Sequence, residues 1–389
     1  MRENIWEFDD LGNHCTVVNG STPSTRNKDY WNGNIVWITP TDLGKFKSKY
    51  IFHSERKITE LGYNSSNTTL IAKNNIIIST RAPIGHISIN GIEACTNQGC
   101  KSIIPNKNIN FVFLFYYLKY SKTKLQELGS GSIFKELSTN SLLSFKIPII
   151  PIQEQKRIVK IIESKLNMVS IVYKTVKEQQ IISGLLYDIY LNKALNKEIL
   201  PEGWERKYLS EICIEDKMVV NGSISSLPFI GLDAIKSKTG EICQNIQTTE
   251  GISNCYYFDE RHVLYGKLRP YLNKVALPDF SGRCSTELIP LFPQKGIARE
   301  FLAYILRRME TVNYAMTEKT GSRMPRANMR HLLSMKVPVP PLVEQKQIVK
   351  YLTSKFEIIK RANTLFNEQL SLADAFPQSI LRQAFEGKL

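Results

Sequence analysis

The chain has 389 residues, 42% of them hydrophobic, with 51 Lys and Arg against 36 Asp and Glu. This length is more than one hydrophobic core usually fills, and the net charge of +15 favours an acidic partner, nucleic acid above all. The acidic start of the chain lacks the apolar core of a secretory signal, and the longest apolar run, 111–118, is too short to span a bilayer. We therefore expect a soluble cytoplasmic protein of two or more domains.

The seven cysteines form no Cys-x-x-Cys pair, and their odd number argues against a closed set of disulfides. We interpret them as buried thiols of a reducing compartment rather than as a zinc site.

The first predicted elements recur in the second half of the chain. WEFDDLGNHC at 6–15 returns as WERKYLSEIC at 204–213. Short β-rich runs such as NIVWI and NNIII lie between Gly, Asn and Pro, a pattern typical of strands joined by turns. Weaker correspondences connect three further pairs of segments: 34–43 with 227–236, 74–85 with 260–271, and 94–99 with 283–288. Each half is therefore predicted to begin with a mixed α/β domain.

One buried helix follows the strands in each half. FVFLFYYLKY at 111–120 and REFLAYILRRM at 299–309 are apolar blocks of helical length with Lys or Arg toward their ends. A Gly-Ser loop follows each block, at 129–136 and at 320–327. The predicted helix and loop thus occupy the same place in both halves.

The closest repeat introduces a long helix in each half. KIPIIPIQEQKRIVK at 146–160 returns as KVPVPPLVEQKQIVK at 336–350. Apolar residues then follow near helical spacing, which predicts two long helices that each bury one side. The two stripes comprise Ile158, Ile162, Leu166, Val169, Val172, Val176, Leu186 and Ile189, and then Ile348, Leu352, Phe356, Ile359, Ala362, Phe366, Leu370 and Ala373.

Two residues interrupt these stripes. Gly184 lies inside the first, and Pro377 inside the second, where it removes a backbone hydrogen bond. We expect Pro377 to begin a separate terminal helix, although a kink within one helix is the alternative.

The predicted fold is therefore two α/β (α+β) domains, 1–150 and 200–340, each followed by a long helix, within 151–199 and 341–389. Two similar helices with one apolar stripe each bury those stripes most simply against each other, as an antiparallel coiled coil related by an internal two-fold axis. Separate packing of each helix on its own domain is the alternative. Similar helices carrying two unlike domains suit an asymmetric bipartite DNA site, two short sequences separated by an unread gap.

The chain resembles the specificity subunit of type I restriction-modification enzymes over essentially its whole length. The motifs are the Trp-Glu opening of each half, STRAPIG at 79–85, YGKLRPY at 265–271 followed by CSTE at 284–287, and the P-x-x-E-Q-x-x-I-V helix starts at 151–159 and 341–349. Each motif is weak alone, but their ordered duplication is specific.

The resemblance implies a subunit without catalytic activity of its own. Two target recognition domains would each read half of a double-stranded DNA site, and the helices would fix the gap and dock two methyltransferase subunits, with motor-nuclease subunits joining that core. S-adenosylmethionine, ATP and Mg would then belong to those partners, and the sequence has no F-x-G-x-G, N-P-P-Y/F or G-x-x-x-x-G-K-S/T motif. A stand-alone, repressor-like bipartite DNA-binding protein is the alternative. A coiled-coil scaffold would leave the positive charge unexplained.

Candidate DNA-contacting residues are hydroxyl, aromatic and basic side chains in loops, which suit phosphates and base edges. In the first domain they are Thr22, Arg26, Lys28, Tyr30, Arg81, Ser132 and Lys135, and in the second Lys267, Arg269, Tyr271, Ser322, Arg323 and Arg326. Plain turns, or a structural salt bridge at Arg81, are the alternatives. If 267–271 is extended, Lys267 and Arg269 project to one side, and no acid lies between Lys319 and Arg330 in sequence.

Candidate partner-binding residues begin the two long helices. They are Glu154, Gln155 and Lys156, with their twins Glu344, Gln345 and Lys346. Complementarity to the helix dipole also explains an acid at these positions.

Overall fold

The computed structural model describes residues 6–46, 48–81, 83–130, 135–196, 199–221, 227–243, 254–321 and 323–388. The chain divides into two compact units. Unit 1 comprises 1–175 and 369–389, and unit 2 comprises 176–368.

The first half of the described chain alternates short strands with helices. The strands and helices are β1 (Glu7–Asp10), β2 (Cys15–Asn19), β3 (Trp31–Ile38), α1 (Pro40–Lys45), β4 (Tyr50–Ile51), β5 (Lys57–Ile58), α2 (Glu60–Asn64), β6 (Ile76–Ser79), β7 (Ile87–Asn90), β8 (Cys95–Thr96), β9 (Cys100–Pro105), α3 (Phe111–Tyr120), α4 (Lys122–Glu127), α5 (Thr139–Leu143), β10 (Lys146–Ile149) and α6 (Ile152–Leu195).

The second half follows a similar order. Its strands and helices are β11 (Glu205–Tyr208), α7 (Leu209–Ile212), β12 (Cys213–Glu215), β13 (Val219–Asn221), β14 (Phe229–Ile230), β15 (Asn254–Phe258), β16 (Val263–Gly266), β17 (Val275–Ala276), β18 (Gly282–Ser285), β19 (Leu288–Pro293), α8 (Arg299–Arg307), α9 (Met309–Thr317), β20 (Lys319–Thr320), β21 (Arg326–Ala327), α10 (Met329–Leu333), β22 (Lys336–Val339) and α11 (Leu342–Phe385). The predicted buried helices at 111–120 and 299–309 are α3 and α8, the second ending two residues early.

The most repeated segments of each half pair with each other. β1 runs antiparallel to β10, with Phe8 opposite Pro148, and β11 runs antiparallel to β22, with Arg206 opposite Pro338. The Trp-Glu opening and the Lys-x-Pro phrase are therefore the two strands of one small sheet in each unit. Because the strands touch, their joint repetition follows from one structural requirement.

Larger sheets form the body of each unit in the described residues. Unit 1 has a five-stranded sheet, β2-β9-β6-β7-β4, and a three-stranded sheet, β5-β3-β8, and unit 2 has two four-stranded sheets, β12-β19-β16-β17 and β13-β15-β18-β14. A parallel strand pair occupies the same place in both units, where Trp37 lies opposite Cys95 and Ile230 opposite Cys284. This pairing confirms two of the weaker correspondences, 34–43 with 227–236 and 94–99 with 283–288.

The two long helices pack against each other. α6 and α11 are each one continuous helix of 44 residues, about 66 Å at 1.5 Å per residue. In unit 1 the beginning of α6 meets the end of α11, where Ile162 shares a core with Leu381 and Phe385. In unit 2 the end of α6 meets the beginning of α11, where Tyr187 stacks on Phe356 with ring centroids 3.9 Å apart. Because a beginning meets an end in both units, the pair is antiparallel, as predicted.

The prediction of a separate helix at Pro377 is wrong, because α11 continues through this residue to Phe385. A proline inside a helix costs about 3 kcal/mol. Ile380, Leu381 and Phe385, just beyond it, are buried in the core of unit 1, and burying each such side chain contributes roughly 1.5–3 kcal/mol. Their burial offsets the cost of the proline.

Part of the predicted stripe on α6 is also wrong. Val172 and Ile189 are exposed at 52% and 54%, whereas Tyr187 and Leu191 are buried. Ser183 is buried on the contact face although it is polar. A stripe assigned from apolar residues alone omits Ser183, and its later members therefore no longer lie on the buried face of α6.

The cysteines match their interpretation as thiols. All are unpaired, six are buried, and Cys243 is partly exposed. Burial raises the pKa of Cys15 to about 12 and that of Cys95 to about 11.

Candidate DNA interface

Two tryptophans hold the 20–30 loop of unit 1 against its strands. Trp37 Nε1 donates to the carbonyl of Ser21 at 2.9 Å, and Trp31 Nε1 donates to the carbonyl of Ser24 at 3.2 Å. The two indoles meet edge to face, with centroids 5.0 Å apart. The loop that the sequence predicts to contact DNA therefore has a fixed base.

The predicted residues of this loop differ in accessibility. Arg26 and Lys28 are exposed and form no ion pair within the described part of the chain. The hydroxyl of Thr22 donates to Oε1 of Gln98, an exposed residue that sequence reasoning missed. Tyr30 is half-buried against the tryptophan cluster. Arg26 and Lys28 are thus free to meet a phosphate or a base, whereas Tyr30 has a packing role.

Sequence reasoning also missed Arg56, which lies beside this loop. Its guanidinium carbon is 3.6 Å from the Trp31 ring centroid and 5.5 Å from that of Trp37. The side chain is exposed, and no described carboxylate lies within ion-pair distance of it. β5 follows Arg56 directly and pairs with β3, which carries both tryptophans. In the sequence, the adjacent basic residues Arg56 and Lys57 could have indicated a DNA contact. Only the pairing of β5 with β3 shows that Arg56 lies next to Trp31.

Arg81 forms the salt bridge considered as its structural alternative. Its Nε lies 3.1 Å from Oε2 of Glu136, and the two residues also form a backbone bridge. Lys135, next to Glu136, is exposed. Ser132 lies outside the described residues. To contact DNA, Arg81 would therefore have to leave the carboxylate of Glu136 or bind a phosphate or base alongside it.

The predicted DNA-contacting segments of unit 2 lie side by side. The backbone N–H of Ala327 donates to the carbonyl of Lys267 at 2.8 Å, and that of Arg269 donates to the carbonyl of Pro325 at 2.7 Å. Lys267 is half-buried, whereas Arg269 and Tyr271 are exposed. Two candidate segments far apart in sequence thus lie directly against each other.

The loop after the buried helix has the same pairing in both units. Thr320 lies opposite Arg326 in the β20–β21 hairpin, and Ser130 lies opposite Glu136 in unit 1. The predicted equivalence of the two Gly-Ser loops is therefore confirmed. The residue at the equivalent position is basic in unit 2 and acidic in unit 1.

The backbone at Arg269 is left-handed, with φ 51° and ψ 64°. A residue before proline normally prefers extended backbone, so this conformation is strained. Segment 267–271 is not an extended strand, because β16 ends at Gly266. The alternation that would project Lys267 and Arg269 to one side therefore does not apply. Tyr271, 51% exposed, lies in the short 3-10 turn Pro270–Leu272.

The arginines near the hairpin are not equivalent. Arg326 donates from Nε and Nη2 to Oε1 of Glu287 at 3.0 and 2.8 Å, and this carboxylate raises its pKa further. No acid lies between Lys319 and Arg330 in sequence, but the fold brings Glu287, from the turn between β18 and β19, to Arg326. Arg323 is exposed, and Ser322 lies outside the described residues. Arg323 and Arg330 are therefore accessible, whereas Arg326 is engaged by Glu287.

A second polar cluster in unit 2 surrounds Asp259. Arg261 Nε donates to Oδ2 of Asp259 at 3.0 Å, and His262 Nδ1 lies 2.9 Å from Oδ1. The hydrogen bond from the Arg261 side chain is the largest cause that lowers the pKa of Asp259 to about 2. The other ring nitrogen of His262 lies 3.2 Å from Asp216 Oδ2. This cluster ties the strand end at β15 to the segment after β12.

Two predicted partner-binding residues are buried instead. Gln155 is 0% exposed, and its Oε1 accepts from the N–H of Asn110 at 2.7 Å while its Nε2 donates to the carbonyls of Asn108 and Ile150. Gln345 is 1% exposed and makes the same three kinds of bond in unit 2, with Ala298, Gly296 and Pro340. Their prediction as partner contacts is wrong, because both amides clamp a long helix to the start of α3 or α8.

The neighbours of these glutamines are more accessible. Lys156 and Lys346 are exposed. Glu154 receives two hydrogen bonds from Arg157, at 2.8 and 2.7 Å, whereas Glu344 accepts from Nε1 of Trp204 at 2.8 Å. The partner-binding role of these four remains a prediction.

Among the residues that the structure describes, no group of three or more His, Cys, Asp or Glu is placed to hold a metal ion. Among the same residues, no helix combines the length and apolarity that a membrane crossing needs.

Known proteins match both halves of the chain. The family model described as type I restriction modification DNA specificity domain matches residues 3–181 and 201–368. The type I restriction enzyme MjaIX specificity subunit of Methanocaldococcus jannaschii is 32% identical over 226 residues, 53% of this chain and 51% of that protein. The EcoR124I/EcoR124II specificity subunit of Escherichia coli is 31% identical over 170 residues, 42% of this chain and 41% of that protein. The chain thus aligns with about half of these relatives' length or less.

Solved structures share the fold across the whole chain. The HsdS subunit from Thermoanaerobacter tengcongensis has a TM-score of 0.65 at 20% identity and covers 100% of both chains. A chain from a study of complex assembly and conformational transition of the type I R-M system has a TM-score of 0.71 at 21% identity, over 99% of this chain and 98% of that one. Since the family model matches both halves, the chain belongs to the type I restriction modification DNA specificity domain family.

Proposed function

We propose that the chain is the DNA sequence-specificity subunit of a type I restriction-modification system and has no catalytic activity of its own. Target recognition domains at 1–150 and 200–340 each read one half of an asymmetric bipartite site in double-stranded DNA. Helical spacers at 151–199 and 341–389 set the gap and dock two methyltransferase subunits. Motor-nuclease subunits join this core.

The duplicated family match is the observation that carries this proposal. Both matched halves contain exposed arginines beside a pinned loop, Arg26 and Arg56 in unit 1 and Arg269 and Arg323 in unit 2. The scaffold around these loops is repeated, whereas the loops themselves differ. A duplicated frame with unlike loops suits two unlike half-sites.

The charge supports DNA as the ligand. A net charge of +15 attracts phosphates, and each phosphate contact makes affinity fall as salt rises. Phosphate contacts position a protein, and base contacts then supply sequence specificity.

Sequencing of methylated DNA from cells that carry this chain and its methyltransferase partner tests the proposal. We expect one bipartite motif with a fixed gap. Replacing residues 1–145 by the matching segment of another family member should change one half of that motif and leave the other half. Methylation or cleavage by the purified chain without partners would contradict the proposal. Tight specific binding without any partner would favour the stand-alone alternative.

The helices can be tested as a ruler. Removing four residues, about one turn, around Val172 in α6 and four around Leu372 in α11 shortens both helices within unit 1. We expect the accepted gap between the half-sites to change. An unchanged gap would show that the helices do not set it.

A further inference from the structure

We propose that Arg56 reads a guanine in the half-site of unit 1, a role that rests on the proposed DNA-recognition function. Its guanidinium is held as a flat fork on Trp31 and presents two N–H groups to the guanine O6 and N7 atoms in the major groove. Arg56 then determines specificity at one base pair.

The Trp31 ring holds the guanidinium of Arg56 in place. The guanidinium carbon lies over the ring, 3.6 Å from its centroid, where cation–π attraction acts. Trp31 is 9% exposed, so its ring is anchored within the protein. A bidentate contact requires an ordered guanidinium, and a guanidinium already held on a fixed ring loses little freedom when DNA binds.

The backbone beneath Arg56 is fixed as well. The hydroxyl of Ser54 donates to the carbonyl of Arg56 at 2.6 Å and accepts from the N–H of Trp37 at 3.1 Å. Lys57, the next residue, lies opposite Val36 in the antiparallel β5–β3 pair. The backbone around Arg56 and its guanidinium therefore both contact β3, the strand that carries the two tryptophans.

The 20–30 loop is held close to Trp31 as well. A Cβ atom at Gly20 would lie 1.9 Å from the carbonyl oxygen of Asn97, so glycine is required for the loop to pass here. Trp31 receives Arg56 on its ring, while its Nε1 donates to Ser24 in this loop. Arg26 and Lys28 of the loop are exposed. They are placed to bind phosphates while Arg56 meets a base.

Other arginines are less suited to this role. Arg81 shares its fork with Glu136, and Arg326 shares its fork with Glu287. Arg283, which lies over Phe229 in unit 2, is 2% exposed and cannot reach a ligand. Arg26 is exposed but has no ring beneath it in the described residues, so DNA binding would have to order its whole side chain.

The test uses the full chain in complex with its methyltransferase partner. Once the methylated motif is known, binding is measured for the cognate duplex and for duplexes with each base pair of both half-sites changed singly. The variants are Arg56→Ala, Arg56→Lys and, as a matched exposed arginine of the same unit, Arg26→Ala. Thermal unfolding of each variant establishes that it is folded.

We expect Arg56→Ala to weaken cognate binding about 10- to 100-fold and to abolish discrimination at one G·C pair of one half-site. Arg56→Lys should restore charge but not discrimination, and Arg26→Ala should weaken binding to all duplexes by a similar factor. A uniform loss in Arg56→Ala would show a phosphate contact or a structural role and would overturn the proposal. An unchanged pattern would overturn it too. If the wild-type complex shows no sequence preference, the proposed function itself fails.

Discussion

The two units share the contacts that hold the long helices and differ in the contacts that face solvent. Gln155 and Gln345 each make the same three hydrogen bonds at the start of a long helix. By contrast, an arginine lies over an aromatic ring in each unit, but Arg56 of unit 1 is exposed whereas Arg283 of unit 2 is buried. The shared contacts are structural, and the different ones are where two half-sites can be told apart.

The charge at one hairpin position illustrates the same contrast. Unit 1 has Glu136 there, paired with Arg81, and unit 2 has Arg326, paired with Glu287. The hairpin residue thus carries the opposite charge in the two units, and its partner comes from a different segment, just after β6 in unit 1 and between β18 and β19 in unit 2. Equivalent places on the two units therefore present different potentials to a ligand.

We expect the greatest loss of stability from replacing Gln155 or Gln345, and comparing the two losses tests whether these glutamines are equivalent. Gln155→Leu or Gln345→Leu should lower the free energy of unfolding by about 3 kcal/mol, because a buried N–H and two carbonyls lose their partner. Urea denaturation of each variant measures this loss. Lys156→Ala and Lys346→Ala, at the exposed neighbouring positions, serve as controls and should change it by less than about 0.5 kcal/mol. If only one of the two variants lost stability, the same three hydrogen bonds would contribute differently in the two units.

The Asp259 cluster should make unit 2 sensitive to acid. The pKa of Asp259 is lowered to about 2, below the usual value of about 3.9 in an unfolded chain. Its stabilising effect is therefore present above the unfolded value and is lost as pH falls toward 2. Asp259→Asn should cost about 2 kcal/mol at pH 7 and almost nothing near pH 2.

Thermal unfolding at both pH values checks this prediction. Asp279→Asn, at an exposed position of the same unit, is the matched control. A cost for Asp259→Asn that does not change with pH would point to packing rather than to charge.

The hairpin of unit 2 should act on one half-site alone. Arg323→Ala combined with Arg326→Ala should weaken binding about tenfold and relax recognition of one half-site. Competition between cognate and altered duplexes measures the effect, and the other half-site is the internal control. Equal loss at both half-sites would contradict separate reading by the two units.

The smallest expected effect concerns the Arg81–Glu136 pair. Both side chains are about half exposed, at 50% and 41%, so their coupling should be below about 1 kcal/mol. A double-mutant cycle with Arg81→Met and Glu136→Gln measures it. If Arg81→Met instead abolished recognition of a base pair while leaving stability intact, Arg81 would join Arg56 as a reader.

Much of the fold could be predicted because its signals are local or repeated. α6, Ile152–Leu195, lies within the segment 151–199 where the spacing of apolar residues predicts a long helix. The duplicated openings predicted matching elements in the two halves, and the structure shows that they are strands, which pair as β1–β10 and β11–β22. The candidate loops were recognisable from glycine, hydroxyl and basic residues, and two of them lie side by side in unit 2.

The candidate site could be predicted only in part. Arg26, Arg269 and Arg323 are accessible as expected, whereas Gln155 and Gln345 are buried. A glutamine at a helix start suits solvent as well as a buried clamp, and the difference lies in backbone groups more than 40 positions away. No pattern in a single sequence reports such a partner.

Sequence alone was enough to predict the two-fold repetition, the two long helices up to Pro377 and the family resemblance, because spacing and duplication are properties of neighbouring or copied residues. Only the folded structure shows that Arg56 lies over Trp31, that Glu287 forms an ion pair with Arg326, and that α11 continues through Pro377. Each of these depends on a contact between segments far apart in the chain. The free energy of such contacts depends on distance and burial, which only the folded chain defines.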